Sequence, residues 1–340
     1  MPAITVVIPV YDGEKYLTET IESLRAQTFR DFQAIFVDDC SSDGSHALIR
    51  RYVERDPRFL LLNTATNQGS AAKSLNFAMP YVAGDYFAYS SQDDLYSIDW
   101  LSEMHRTARD SGAAATLPDM VSYRAGATGE LTTISGAAGA QVPSISGREA
   151  VILSLDWKVH GFALWKTELV RATRFKDFGI FADEYTVREL FMACETVAFS
   201  GGTFFYRQDN PQAITRKRSV GMFDKPYNCV MLSRLLSTNG FPEELHMREI
   251  DRAFTHLVGL QVEELGSPTS DTQAFRDAAE RRLRGAFEAL KSPDARQALA
   301  RHGDRRSLLL AGSYEQFKTA CRQWTLDTPS FLEDWRRWRP

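Results

Sequence analysis

Residues 86–94 read YFAYSSQDD, an aromatic, apolar run that ends on Asp93 and Asp94 with Ser91 and Gln92 just before. Adjacent carboxylates repel, and their cost rises where a buried strand emerges. One explanation is structural: a helix cap or an Asx turn ahead of Ile98-Asp99-Trp100-Leu101. The other is chemical: a seat for a divalent cation, whose hard charge selects carboxylate oxygens. Two further apolar runs also finish on polar residues, at Pro9-Val10-Tyr11-Asp12 and at Asp38-Asp39. Three strand ends of this kind favour the chemical explanation if the fold gathers them at one edge.

The elements that must do the gathering are readable from periodicity. Ile4 to Val10 is a β-branched run without helical spacing, the mark of a strand buried on both faces. Tyr16, Leu17, Ile21 and Leu24 then recur at helical intervals. Phe32 to Val37 is a second strand, and Ala47, Leu48, Ile49 and Tyr52 mark a second helix. Phe59 to Leu62 is a third strand, Ser70 to Met79 a helix, and Tyr86 to Tyr89 a fourth strand. This alternation predicts an α/β fold with a mixed, mostly parallel sheet flanked by helices. In such sheets ligands bind beyond the carboxyl ends of the strands. Residues 111–147, rich in Gly, Ala, Ser and Thr, read as irregular strands and loops. Strands resume at 161–166 and 197–207, and from about Phe223 onward the pattern is helical, over 227–236, 250–265 and 272–290.

Composition narrows the class. The 340 residues are 44% hydrophobic and 25% charged, with a formal net charge of −4. That balance fits a soluble globular protein and argues against a nucleic-acid binder held by bulk charge, leaving room only for a local basic patch. Four scattered cysteines, Cys40, Cys194, Cys229 and Cys321, form no CxxC pair and suit a reducing compartment. The N-terminus lacks the pattern of a secretory signal, so the expected location is cytoplasmic. The tail Trp335-Arg336-Arg337-Trp338-Arg339 suits either an anionic membrane surface or a frayed helix end.

Two nucleotide motifs fail. Gly69-Ser70-Ala71-Ala72-Lys73-Ser74 lacks the second glycine and the spacing of a phosphate-binding P-loop, and no GxGxxG follows the first strand. The segments VVIPVYDGEKYLTETIESLRAQT, FQAIFVDDCSSDGS, NQGSAAKSLNFAM and GDYFAYSSQDD, in that order, instead resemble glycosyltransferase family 2, the inverting enzymes of GT-A fold. The resemblance is strong over about residues 3 to 100 and looser over 160 to 216. It implies a nucleotide-sugar-binding half at 1–100, an acceptor-binding half at 101–220, and a helical C-terminal region at 221–340.

A nucleotide-sugar presents a base, a ribose and a diphosphate. Asp38 and Asp39 can accept from a pyrimidine N–H and from ribose hydroxyls, and the resemblance places such an aspartate at the base. Pro9 and Tyr11 share the neighbouring strand end, where a ring can stack on the base. Asn67 and Lys73 flank the third strand's loop, with an ordinary turn and a solvated helix face as their alternatives. The family's Asp-x-Asp element maps to Ser91-Gln92-Asp93, so a hydroxyl replaces the first acid. The resemblance makes Asp93 the ligand of Mg²⁺ or Mn²⁺ on the diphosphate. The family's acidic pair maps to Asp183-Glu184 in swapped order, with Glu184 as general base and Asp183 as its orienting partner; first-turn acids of a helix are the alternative. Tyr206-Arg207-Gln208-Asp209-Asn210 and Ile214-Thr215-Arg216 resemble a loop that closes over the diphosphate, with Asp209 where a histidine often stands. Arg207, Arg216, Lys217 and Arg218 suit phosphate or a solvated charge run. His160 is either an acceptor contact or a hydrogen-bonded structural residue.

The expected activity is inverting sugar transfer to an acceptor hydroxyl in surface polysaccharide or glycan assembly. The expected donor is a UDP-sugar, with a dTDP-sugar as alternative, and the acceptor a glycan or lipid-linked molecule. The competing readings are a sugar-nucleotide nucleotidyltransferase, which PVYDGEKY disfavours for want of a basic Gly-rich loop, and a non-catalytic nucleotide-sugar-binding subunit. The helical end is a candidate for homodimer or peripheral membrane contact at the inner face.

Overall fold

The computed structural model describes residues 1–126, 132–214, 216–266, 271–301 and 304–338. Thr215 and Arg339, the last residue of the Trp/Arg tail, lie outside the described residues. Strand β1 (Ile4–Val10) is buried along nearly its whole length, as its unbroken apolar composition requires. It is flanked in parallel by β2 (Phe32–Asp38) and β4 (Tyr86–Tyr89), and β3 (Phe59–Asn63) continues the sheet in parallel beyond β2. The register pairs Val10 with Asp38 and Asp38 with Asn63, so three strands stop at one level. Helices α1 (Glu14–Arg25), α2 (Ser45–Val53) and α3 (Ala71–Ala78) make the crossovers. Helix α1 buries Leu17, Ile21 and Leu24, the stripe that its spacing predicts. Each such side chain contributes about 1.5–3 kcal/mol. Gly84 turns the chain into β4 at φ +85°, where a Cβ would lie 2.1 Å from the Pro2 carbonyl oxygen. Only glycine fits there.

The sheet runs β3-β2-β1-β4-β9-β6-β10-β5. Its later members are β5 (Leu95–Tyr96), β6 (Ala115–Tyr123), β7 (Thr133–Ile134), β8 (Ser144–Ser146), β9 (Leu164–Lys166) and β10 (Thr196–Arg207). Strand β9 is antiparallel to β4 and β6, whereas β6 and β10 run parallel. Strands β5 and β8 pair antiparallel with β10, and β7 with β6. The sheet is therefore parallel in its first half and mixed in its second. Helices α4 (Trp100–Ser111), α5 (Gly147–Ser154), α6 (Thr167–Thr173) and α7 (Ala182–Met192) connect these strands.

Strand β6 is the longest of the strands within residues 111–147, which the sequence analysis reads as irregular strands and loops. Its interior Pro118 argues against a central strand, because proline offers no N–H to the ladder. The register with β10 slips between Leu117 and Asp119, opposite Phe199 and Thr203, so Pro118 falls where no ladder bond is needed. Gly202 occupies the bulge at φ +81°, where a Cβ would meet the Trp100 Cα at 2.9 Å.

The chain divides into two compact units, Met1–Asp177 with Thr186–Pro211, and Phe178–Tyr185 with Gln212–Pro340. The first has its core among Val6, Ile8, Phe36, Trp100, Met104 and Phe204. The second is helical: α8 (Lys225–Thr238), α9 (Glu243–Gly259), α10 (Gln273–Leu290), α11 (Pro293–Ala300), α12 (Asp304–Leu309), α13 (Tyr314–Asp327) and α14 (Pro329–Trp338). Its core includes Phe254, Leu257, Leu283, Phe287, Phe317 and Trp335. Among the described residues no helix is long and apolar enough to cross a membrane. All four cysteines are free thiols.

Candidate active site

At the carboxyl edge of β1, β2 and β4 the loops are tied to one another through side chains. Gln92 Oε1 accepts from the Tyr11 amide at 2.7 Å, and its Nε2 donates to the Tyr11 carbonyl at 3.0 Å. This reciprocal pair fixes the β4 loop against the β1 loop. Asp12, held at φ 48°, accepts from the Ser42 amide at 2.7 Å and the Ser42 hydroxyl at 3.1 Å. Glu14 and Asp43 complete the latch: Asp43 Oδ2 accepts from the Glu14 amide at 3.0 Å, and Glu14 Oε2 from the Gly44 amide at 3.0 Å. Tyr11 itself is 49% exposed, its ring available to a ligand at the sheet edge. Pro9 lies one residue inside β1, opposite Val37.

Asp38 and Asp39 are both buried at the end of β2. Asp38 Oδ1 accepts from the Ser41 amide at 3.2 Å and shapes the turn. Asp39 faces the β3–α3 loop: Oδ1 accepts from the Thr64 hydroxyl at 2.8 Å, and the Gln68 amide lies 2.8 and 2.9 Å from its two oxygens. Asn67 donates from Nδ2 to the Asp39 carbonyl at 3.3 Å, so it does more than turn the chain. Lys73, in the first turn of α3, ion-pairs with Asp177 at 3.4 Å; both side chains are over 40% exposed, and such a pair contributes little to stability.

The two acids of YFAYSSQDD separate by environment. Asp93 Oδ2 accepts from Asn210 Nδ2 at 2.6 Å. Asp94 turns inward, 1% exposed, and its Oδ1 accepts from the Arg207 amide at 3.0 Å. Burial, and then the charge of Asp93, push the Asp94 carboxyl up to about 8, against hydrogen bonds from Arg207 and Ser91. Neither acid caps a helix, because α4 starts at Trp100 with Asp99 at its cap position. The helix-cap alternative is thereby removed, and the turn alternative stands.

Arg207 lies beneath the same loop. Its side chain is 1% exposed, Nε donates to the Asp93 carbonyl at 2.7 Å, Nη1 to Asp209 Oδ1 at 3.3 Å, and Nη2 to Glu19 Oε2. The guanidinium also sits 4.6 Å from the Tyr16 ring centroid and 5.0 Å from that of Tyr123. This arrangement spends the guanidinium on protein groups and anchors the Asp93 loop. Asp209, at the position where a histidine often stands, further accepts from the Ala125 amide at 3.1 Å.

His160 is structural. Its Nε2 pairs with the Pro118 carbonyl at 2.8 Å, and Nδ1 accepts from the Phe162 amide at 3.2 Å. Those partners assign the proton to Nε2, and burial pulls the imidazole down to about 4. Asp183 and Glu184 belong to the second unit, in the first turn of α7. Both Glu184 carboxylate oxygens lie 3.4 Å from Lys225 Nζ, and that ammonium stands 4.5 Å from the Phe181 ring centroid.

Reasoning from motifs passed over the residues that hold the loops together: Asn210 on Asp93, Glu19 on Arg207, and the latch of Asp12, Glu14 and Asp43. Asn210 lay inside the string YRQDN, but nothing in the sequence shows that its amide reaches a carboxylate 117 residues away. Among the described residues no group of three His, Cys, Asp or Glu side chains is arranged to hold a metal ion.

The parallel sheet, continued by a mixed half, is the GT-A fold. Residues 5–157 match the family model Glycosyl transferase family 2. The matched segment is just under half of the chain. Glycosyltransferase GlyG of Streptococcus pneumoniae is 25% identical over 220 residues, 60% of this chain and 70% of that protein. An uncharacterized glycosyltransferase of Haemophilus influenzae is 36% identical over 103 residues, 30% of this chain and 41% of its own length. Apart from GlyG, the chain spans well under two thirds of the curated relatives named first. Among solved structures, residues 1–349 of TarS from S. aureus, crystallised with UDP-GlcNAc, superpose with TM-score 0.63 at 14% identity. The match covers 100% of this chain and 93% of that one, and at such identity it speaks for the fold alone.

Proposed function

We propose that this glycosyltransferase moves a sugar, with inversion, from a UDP-sugar to a hydroxyl of a glycan or lipid-linked acceptor in surface polysaccharide assembly. One observation carries the reading: the loops after β1, β2, β3 and β4 meet at a single sheet edge, with Asp39 and Asp93 on two of them. Asp39 is the group for the uracil N–H, Asp38 shapes its turn, and Tyr11 covers the base beside Pro9. Asn67 and Lys73 serve the β3–α3 side, with Lys73 exchanging Asp177 for a phosphate. Ser91 and Gln92 hold the ribose side of the loop, and Arg207 positions the loop from beneath.

The residues present fit Mg²⁺ or Mn²⁺. Such ions take one or two carboxylates and complete their shells with phosphate oxygens and water, so a single carboxylate suffices and a protein cage is not required. Asp93 is that acid, and a bound ion there would offset charge developing on the leaving diphosphate. The protein's own part is to orient donor and acceptor and to take up the acceptor proton. Glu184 receives that proton as the hydroxyl oxygen attacks C1 and the C1–O bond to the diphosphate breaks. Asp183 steadies the base, and Lys225 holds its carboxylate in one orientation.

The test measures UDP-sugar turnover over an acceptor panel, with the anomeric product read by NMR, for the wild type, Asp93→Asn and Glu184→Gln. Each substitution is expected to lower turnover roughly a hundredfold or more, with UDP binding to Glu184→Gln preserved. Near-normal transfer by Glu184→Gln removes it as base, and a retained anomeric configuration rejects inversion.

A further inference from the structure

Trp157 stands where both its backbone and its surroundings argue against a tryptophan. Helix α5 closes with two bonds: the Lys158 amide donates to the Leu153 carbonyl at 3.0 Å, and the Trp157 amide to the Ser154 carbonyl at 3.2 Å. In this closure the fifth residue turns left-handed, a place that glycine usually takes. Trp157 turns there at φ 55°, where a bulky side chain is an outlier. Packing does not compensate. The residue is 42% exposed, and among the described residues its indole meets no other ring and its N–H finds no acceptor. A strained position of this kind points to function when neither fold nor core asks for it.

The first unit delivers this ring to the edge that carries Asp93. Strand β8 ends at Ser146 opposite Thr196, the amino end of β10, and α5 leads away from there. Strand β9 then runs antiparallel to β4, with Trp165 opposite Phe87. The segment between α5 and β9 therefore enters from the carboxyl end of β4, where Ser91, Gln92 and Asp93 follow. Four contacts fix it. Arg188 donates to the Ser154 carbonyl at 2.6 Å, and His160 Nε2 pairs with the Pro118 carbonyl at 2.8 Å. Val159 is buried, and the Phe162 ring stands 5.8 Å from that of Tyr89, the last residue of β4. A ring presented on a fixed segment loses little freedom when a ligand covers it.

We propose that Trp157 is the stacking platform of an acceptor-saccharide subsite, its indole face set against the C–H face of a pyranose ring. Exposed Asp156 and Lys158 bound the ring on either side in the chain. A sugar carries an apolar C–H face and a rim of hydroxyls, so one aromatic face among polar groups suits it. A standard protein interface covers about 800 Å² per partner, whereas the exposed large apolar side chains of this segment are Trp157 and Ile152. The Asp156 carboxylate beside the indole disfavours an anionic bilayer. The donor is assigned to loops of the parallel half, and this segment belongs to the mixed half, which leaves the acceptor. That assignment rests on the transferase reading above.

The test uses the full chain with methyl glucoside, methyl galactoside and methyl N-acetylglucosaminide as probes, read by saturation-transfer NMR and by the indole N–H resonances of the labelled protein. At least one glycoside is expected to bind and to shift the indole resonance that Trp157→Gly removes. It should bind UDP-saturated protein at least as well as free protein. Trp157→Gly is expected to weaken that glycoside about tenfold, the loss of one stacked ring, with UDP affinity unchanged. Trp157→Tyr keeps a ring and should recover most of the loss. Glycine suits the left-handed position, so Trp157→Gly is expected to melt at the wild-type temperature or above. A fall of several degrees would make the indole a packing group and overturn the proposal. Absence of binding by all three glycosides, an unmoved Trp157 resonance, or displacement by UDP would overturn it as well. Failure of the transferase reading shows separately, as absence of Mn²⁺-dependent UDP binding that needs Asp93.

Discussion

Replacing Arg207 by lysine separates two roles for this residue. As a phosphate ligand, the guanidinium would yield to an ammonium with modest loss of fold and a loss of UDP affinity. As the anchor seen in the structure, it has three directed bonds: to the Asp93 carbonyl at 2.7 Å, to Asp209 at 3.3 Å, and to Glu19. Lysine keeps the charge but reaches one of these in good geometry. The two lost bonds are worth about 1.5–3 kcal/mol each when both ends are sequestered. The Glu19 side chain is 52% exposed, which reduces its share towards the surface-pair range of about 0–1 kcal/mol. Weakened contact with the Tyr16 and Tyr123 rings adds about 0.5–1 kcal/mol. The sum is about 3–4 kcal/mol, which at an m-value of about 2 kcal/mol/M lowers the urea midpoint of the first unit by about 1.5–2 M. Fluorescence-detected urea titration reads this directly, alongside UDP titration in Mn²⁺. A midpoint shift below about 0.3 M, with UDP affinity reduced tenfold or more, would refute the anchoring role.

Other outcomes follow from single contacts. Asp39→Asn presents an amide N–H to the Gln68 amide and is expected to lower UDP affinity at least tenfold by calorimetry, with melting reduced by only a few degrees. His160 has its folded-state value at about 4, below the ordinary 6.5, so the unfolded chain takes up the proton first as pH falls. Wild-type stability is therefore lost between pH 6.5 and 4, to a ceiling of about 3 kcal/mol. His160→Asn keeps an acceptor for the Phe162 amide and should lose less over that window. Parallel unfolding curves at pH 7.5 and 5 decide it. Gly84→Ala forces a Cβ against the Pro2 carbonyl at φ +85° and is expected to cost about 2–3 kcal/mol by urea titration.

The first hundred residues announce their fold because each strand of the parallel half is apolar on both faces and each crossover helix carries a clean stripe. Strand β6 was hidden, since Pro118 and Asp119 within it contradict a central strand until the bulge opposite them is known. Local sequence also shows that Asp38-Asp39 and Asp93-Asp94 lie at or just beyond strand ends, because the change from apolar to acidic is a local signal. It does not show which acid of a pair faces a ligand.

What the sequence determined alone was periodicity, the alternation of strands and helices in the first half, and the expectation that the polar loops share one sheet edge. These depend on neighbours within about ten residues. The tertiary structure decided that Asp94 is buried and Asp93 is held by Asn210, that Arg207 anchors a loop, and that His160 carries a proton on Nε2. Each of those outcomes depends on a partner 42 to 188 residues distant. A carboxylate or an imidazole takes its protonation and its role from whichever groups the fold brings within about 3 Å, and no local pattern encodes that.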